Sequence, residues 1–113
     1  MKIVNREVGD VMVLDLHGRM VTGEADTALR EAVTRLVESG NARILLNLAG
    51  VSYIDSAVLS EIVWTYTTVC REGGKLKLLG LPPKIQDLLS MTRLETVFEA
   101  YKSEDEAIRS FQA

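Results

Sequence analysis

Residues 44–71 read ILLNLAGVSYIDSAVLSEIVWTYTTVCR, and the change of hydrophobic rhythm inside this stretch decides the fold. Ile44-Leu45-Leu46-Asn47-Leu48 is a short apolar run of the length and branching expected of a strand covered on at least one face, and it reads as the central strand of a sheet. Ala49 to Asp55 then leads from its end into a helix. From Ser56 to Arg71 the residues Leu59, Ile62, Val63, Tyr66 and Cys70 recur at helical spacing, which predicts a helix with that stripe in the core. Gly73-Gly74 stops the helix, and Lys75 to Leu79 supplies the next strand. Strand, helix and strand in direct succession point to parallel pairing, because a parallel connection needs a long crossover.

The flanks extend this pattern. Ile3 to His17 alternates as an opening β-hairpin, with Val11, Val13 and Asp15 set against Met12, Leu14 and Leu16 and the turn at Gly9-Asp10. Gly18 is expected to break the second strand. Thr22 can cap a helix carrying Ala25, Leu29, Ala32, Val33 and Leu36 at helical spacing, ended by Gly40-Asn41. Downstream, Pro82-Pro83 opens a short helix through Met91, a weak strand is expected near Val97-Phe98, and Ser103 with Glu106 forms a capping box for a last helix ending near Phe111. The fold class is α/β: one mixed, mostly parallel sheet of about four to five strands with helices packed on it, in a single domain over 1–113. Right-handed crossovers put the first two helices on one face.

Composition narrows the function. At 113 residues and 47% hydrophobic content, one core suffices without disulfides, and the single Cys70 forms no internal bridge. A net charge of -3, with acids and bases interspersed as in Glu24, Asp26, Arg30, Glu31 and Arg35, gives no basic cluster for nucleic acid and reads as a solvated helix face. With no leader and no apolar run of membrane-spanning length, the expected compartment is the cytoplasm, without membrane insertion.

Partners of an α/β layer meet the loops at the carboxyl ends of strands, which directs attention to Ser52-Tyr53-Ile54-Asp55-Ser56. Asp55 and Ser56 are both good N-cap residues, so a plain capping role stands beside any functional one. Trp64 falls opposite the apolar stripe with Ser60 and Thr68, where either another helix covers it or it is an exposed anchor. His17 has no second ligand at metal spacing, Cys70 reads as a small core hydrophobe, and Met12, Met20 and Met91 read as core or loop filling. Gly73-Gly74 and Gly80-Leu81-Pro82 read as turns rather than phosphate cradles. No histidine, lysine or second carboxylate is brought to Asp55, Ser56 and Ser52, so neither catalysis nor a cofactor is expected.

On Leu46-Asn47-Leu48 followed by Val51 to Leu59, with Leu16-His17-Gly18 and Gly73-Gly74 in support, the chain resembles the STAS domains over essentially its whole length, and within them the bacterial anti-sigma factor antagonists. The family's usual Asp-Ser-Ser-Gly-Leu-Gly is here Asp55-Ser56-Ala57-Val58-Leu59-Ser60, and Val21 stands where many antagonists carry an acid. The resemblance implies a regulatory, non-enzymatic protein that binds an anti-sigma factor which is also a serine kinase. It implies that Ser56 is phosphorylated by that partner and restored by a serine phosphatase, and it allows a homodimer. The docking surface expected around this motif comprises Asp55, Ser56, Ala57, Val58 and Ser60, to which the helical spacing adds Trp64. A phosphate there is expected to rest on the orphan N–H groups of the helix start. The alternative is a STAS subunit of a signalling scaffold or phospholipid transport complex, docking through the same loop without phosphorylation.

Overall fold

The strands are laid side by side in the order in which the chain makes them. A computed structural model describes residues 1–112 and contains, in chain order, β1 (Lys2–Val8), β2 (Val11–Met20), α1 (Ala25–Glu38), β3 (Arg43–Ile54), α2 (Ser56–Arg71), β4 (Lys75–Leu79), α3 (Pro83–Met91), β5 (Ala100–Tyr101) and α4 (Glu104–Ser110). They form one five-stranded sheet, β1-β2-β3-β4-β5. The β1–β2 hairpin is antiparallel and the other three pairs are parallel, so the mixed, mostly parallel expectation holds.

Helices cover both faces unequally. On one face Leu14, Leu46, Leu48 and Leu78 meet Leu29 and Val33 of α1, Val58 and Ile62 of α2 and Ile85 and Leu89 of α3 in a single buried cluster. The expected placement of α1 and α2 on one face is therefore found. The other face holds a smaller cluster, Val11, Val13, Leu45 and Leu79, sealed by Ala107 and Phe111. Apolar cover on both faces explains why Ile44-Leu45-Leu46 does not alternate. Lys77 of β4 also points toward α4 and is only 5% exposed. Its ammonium donates to the Ser110 carbonyl at 3.1 Å and to Ser110 Oγ at 3.0 Å and lies 4.9 Å from the Phe111 ring centroid, so the buried charge is satisfied by acceptors and an aromatic face.

Several boundaries differ from the sequence expectation, each for a local reason. Gly18 does not end β2. At φ +98° it takes a backbone that other residues rarely adopt, and β2 continues through two register shifts to Met20. β3 likewise runs past Leu48 to Ile54, because this second half of β2 gives it a partner, with Gly18 opposite Val51 and Met20 opposite Ile54. Thr22 does not cap α1: the N-cap is Glu24, without a side-chain hydrogen bond. Val97-Phe98 is not a strand. It follows a 3-10 turn at Leu94–Thr96, and Phe98 is buried edge-on to the Tyr66 ring at 5.1 Å, while pairing with β4 begins at Ala100.

The inward face of α2 is Val58, Leu59, Ile62, Thr65 and Val69; of the expected stripe Leu59 and Ile62 are buried, while Val63 and Tyr66 pack partly buried against the core. Thr65 is admitted to the core because its hydroxyl donates to the Ile62 carbonyl at 2.7 Å, and Cys70 is exposed. Met20 is buried as expected, whereas Met91 is 80% exposed and fills nothing. At the end of α2, Gly74 is fixed by contact: a Cβ there would lie 2.2 Å from the Ala42 carbonyl oxygen. Helix α4 has one half of its expected capping box, Ser103 Oγ accepting from the Glu106 N–H, without a return bond from the Glu106 side chain among the described residues.

Because α4 is the element sealing the second face, truncating its fully buried ring should weaken the whole domain. Phe111→Ala is expected to lower the unfolding free energy by about 3–5 kcal/mol, measured by urea denaturation.

Candidate partner-binding site

The junction between β3 and α2 is organised by Asp55. Its backbone is extended (φ -94°, ψ 168°), and its carboxylate Oδ1 accepts the Val58 N–H at 2.9 Å, the cap that starts α2. The other oxygen, Oδ2, accepts the Thr22 N–H at 2.7 Å and the Thr22 hydroxyl at 2.8 Å. Thr22, expected as a helix cap, is instead the partner through which the β2–α1 loop is tied to α2. The Asp55 N–H donates to the Met20 carbonyl at 3.2 Å and its own carbonyl accepts from Leu59 at 3.0 Å. The Val58 N–H first, and the Thr22 N–H and hydroxyl next, hold the Asp55 carboxyl below the usual carboxylate range.

This division of labour separates two residues that the sequence left equivalent. Asp55 is the cap and Ser56 is the first helical residue, exposed, with its hydroxyl making no hydrogen bond among the described residues. The Val58 N–H is already taken by Asp55, and the Ala57 N–H also helps to hold that charge.

The other expected surface residues divide by burial. Ala57 and Ser60 are exposed, Ser60 Oγ donating to the Ser56 carbonyl at 3.1 Å. Val58 is fully buried and does not belong to the surface; it packs into the core beneath the first turn, so its bulk blocks no approach from outside. Trp64 remains 37% exposed, on the same helical face as Ser56 and Ser60, two turns further on.

A second arrangement, not singled out in the sequence, fixes Trp64. Arg30 of α1 donates Nε to Glu61 Oε1 at 2.6 Å and Nη2 to Oε2 at 2.9 Å, a two-pronged pair across the helices. The same guanidinium lies 4.1 Å from the Trp64 ring centroid. Arg30, read as part of a solvated face, is thus a clamp between α1 and α2. The signal was Glu61 itself: one residue before Ile62, it sits beside the buried stripe, where an acid requires a partner.

Elsewhere polar side chains staple the sheet. Arg6 pairs with Asp15 at 2.5 Å and Glu104 at 2.5 Å, and Asn47 Nδ2 donates to Asp15 Oδ1 at 2.8 Å, joining β1, β2, β3 and α4. The Arg6 guanidinium is the main cause that keeps the Asp15 carboxyl low. Exposed His17 lies against Gly50, where a Cβ would come within 2.4 Å of its Nδ1. No group of three or more His, Cys, Asp or Glu side chains among the described residues could hold a metal ion, and none of their helices is long and apolar enough to cross a membrane.

Comparison with known proteins agrees with this architecture. The model of the STAS domain family matches residues 2–107. The chain is 36% identical over 83 residues to the anti-sigma-B factor antagonist of Bacillus subtilis (strain 168), covering 70% of this chain and 75% of that protein. Among solved structures, an anti-sigma factor antagonist from Mycobacterium paratuberculosis superposes with a TM-score of 0.87 at 20% identity, over 99% of this chain and 94% of that one. The Bacillus cell fate determinant SpoIIAA in its phosphorylated form gives 0.77 at 19% identity, over 96% of this chain and 98% of that one. Its unphosphorylated form gives 0.75 at 18%, over 99% of each. The structural likenesses establish a common fold.

The Asp55 cap makes a prediction in acid. A carboxyl whose folded pKa is depressed stabilises the fold fully above its unfolded pKa, about 4, and that contribution is lost as pH falls through the folded value. Wild type should therefore melt above Asp55→Ala at neutral pH, and the gap should close on acidification, as followed by circular dichroism.

Proposed function

Since the chain belongs to the STAS domain family, we propose that it is an anti-sigma factor antagonist that binds an anti-sigma factor with serine kinase activity and is switched off by phosphorylation of Ser56. The observation that carries this reading is the free, exposed hydroxyl of Ser56 on the first turn of a helix whose cap is supplied entirely by its neighbour. Ser56 can be modified without removing a bond from the fold. A structurally similar antagonist has been solved in both phosphorylated and unphosphorylated forms, which supports the same switch here.

The chemistry follows from electrostatics. Docking is through Ser56, Ala57, Ser60 and Trp64, with Asp55 fixing the turn from which they project. A phosphate adds roughly -1.5 to -2 charges at neutral pH. The helix N-terminus attracts that charge and the ionised Asp55 repels it, while the Ala57 and Val58 N–H groups already serve Asp55. The new charge therefore faces outward, onto the docking surface. An interface that accepts a neutral hydroxyl must then desolvate a dianion, which costs several kcal/mol. The protein acts by binding, in the cytoplasm, and a serine phosphatase returns it to the binding form, so that the partner releases or retains its sigma factor accordingly.

The test uses the anti-sigma factor kinase of the source organism. Intact-mass analysis after incubation with this kinase and ATP should show one added phosphate on wild type and none on Ser56→Ala. In titration calorimetry Ser56→Ala should bind as wild type. Ser56→Asp should bind roughly a hundredfold more weakly, equivalent to about 3 kcal/mol. Equal affinities for the two variants would remove Ser56 from the switch.

A further inference from the structure

Strand β3 is longer than the strand beside it. Arg43 to Asn47 pair with β4, whose last residue, Leu79, lies opposite Asn47; from Gly50 to Ile54 the only ladder partner is β2. The chain leaves the sheet at Gly80, where a Cβ would come within 2.9 Å of Ala49 Cβ, and passes through Leu81-Pro82 into α3. The side of β3 from Val51 to Ile54 that faces away from β2 is thus a strand edge without a ladder partner among the described residues.

That edge does not face open solvent. Between it and the first turns of α3 lies a groove of about 560 Å³, lined by Ser52, Tyr53 and Ile54 on one side and Pro83, Lys84 and Leu88 on the other. Its surface is largely apolar, and Tyr53 is 46% exposed within it. Unpaired main-chain groups along an apolar slot are the requirement for adding an extended peptide as a further strand: the backbone supplies hydrogen bonds and alternate side chains fill the slot.

Charge selects the kind of segment. Lys84 is the one charged side chain in the lining, no carboxylate lines the groove, and the Arg19 guanidinium lies 4.9 Å from the Tyr53 ring centroid. The first turn of α3 adds few free donors, since Pro82 and Pro83 carry no N–H and the Ile85 and Gln86 N–H groups bond to the Pro82 carbonyl, so the positive charge at the groove is that of Lys84. Tyr53 and Ile54 directly precede Asp55 and Ser56, so an occupant of the groove is continuous with the docking surface already described.

We propose that the open edge of β3, Val51 to Ile54, receives an extended, acidic and aliphatic segment of the partner as an added strand, with an acidic side chain of that segment paired to Lys84. The proposal rests on the functional reading above, because the partner is the same anti-sigma factor kinase. It adds a second point of attachment, through which partner chains are selected.

Amide hydrogen exchange of the chain, alone and in complex with the anti-sigma factor kinase of the source organism, tests it. The amides between Val51 and Ile54 that do not bond to β2 should exchange at least about tenfold more slowly in the complex, as expected of newly paired backbone. Lys84→Glu should bind the kinase about tenfold more weakly, while Lys84→Arg binds as wild type; because Lys84 is exposed, both variants should keep the wild-type melting temperature. A complex that protects the start of α2 but leaves Val51 to Ile54 exchanging as in the free chain would overturn the strand addition while leaving the functional reading intact. Wild-type affinity in Lys84→Glu would overturn the acidic pairing. Absence of any complex with the unmodified chain would overturn the functional reading and this proposal together.

Discussion

Everything in this domain is arranged around the need to bury β3. Its first half is flanked by strands on both sides and by helices on both faces, so Ile44, Leu45 and Leu46 lie wholly in the interior. Burial of those three side chains contributes several kcal/mol by the usual area scale, and it requires cover from the crossover helices before and after the strand. The second half of the strand has only β2 beside it. The transition from fully enclosed to half-paired strand occurs within a few residues, and the helix carrying Ser56 starts where the strand ends.

The Asp55 carboxylate converts that change into a fixed geometry. Its two oxygens serve different elements, one starting α2 and the other holding the loop before α1. Further along, the Arg30–Glu61 pair and the Arg30–Trp64 stack join the same two helices. The exposed face of α2 is consequently held at two places by groups that are not themselves the proposed point of modification. In the proposed mechanism this separation is what allows charge to be added at Ser56 while the scaffold around it stays as it was.

Much of this was legible in the sequence because local chemistry and tertiary structure agree. The limits of α2, Ser56 to Arg71, the strand Lys75 to Leu79, the start of α3 at Pro83 and the cap at Ser103 all follow from residues whose local preference the fold uses. What was not legible depends on neighbours distant in sequence. The extension of β3 beyond Leu48 exists only because β2 passes Gly18, and β2 passes Gly18 only because β3 is there to receive it. The inward face of α2 extends beyond the expected stripe to Val58 and Val69 because Thr65, a polar residue, occupies a core position by bonding back to its own helix. Asp55 and Ser56 could not be ranked from composition; Thr22, 33 residues away, occupies one Asp55 oxygen and so decides which of them caps and which is free.

The agreement between spatial and chain order has a kinetic side. Each strand is added to the edge its predecessor has just formed, so no earlier pair has to reopen to admit a later strand. Among the strands, loop closure then joins only consecutive elements, which keeps the entropy lost at each step small for a mostly parallel sheet, and only α4 must reach back across the chain to β1 and β2. Strand order therefore permits assembly of the sheet as a zipper from the hairpin, with the short β5 joining last.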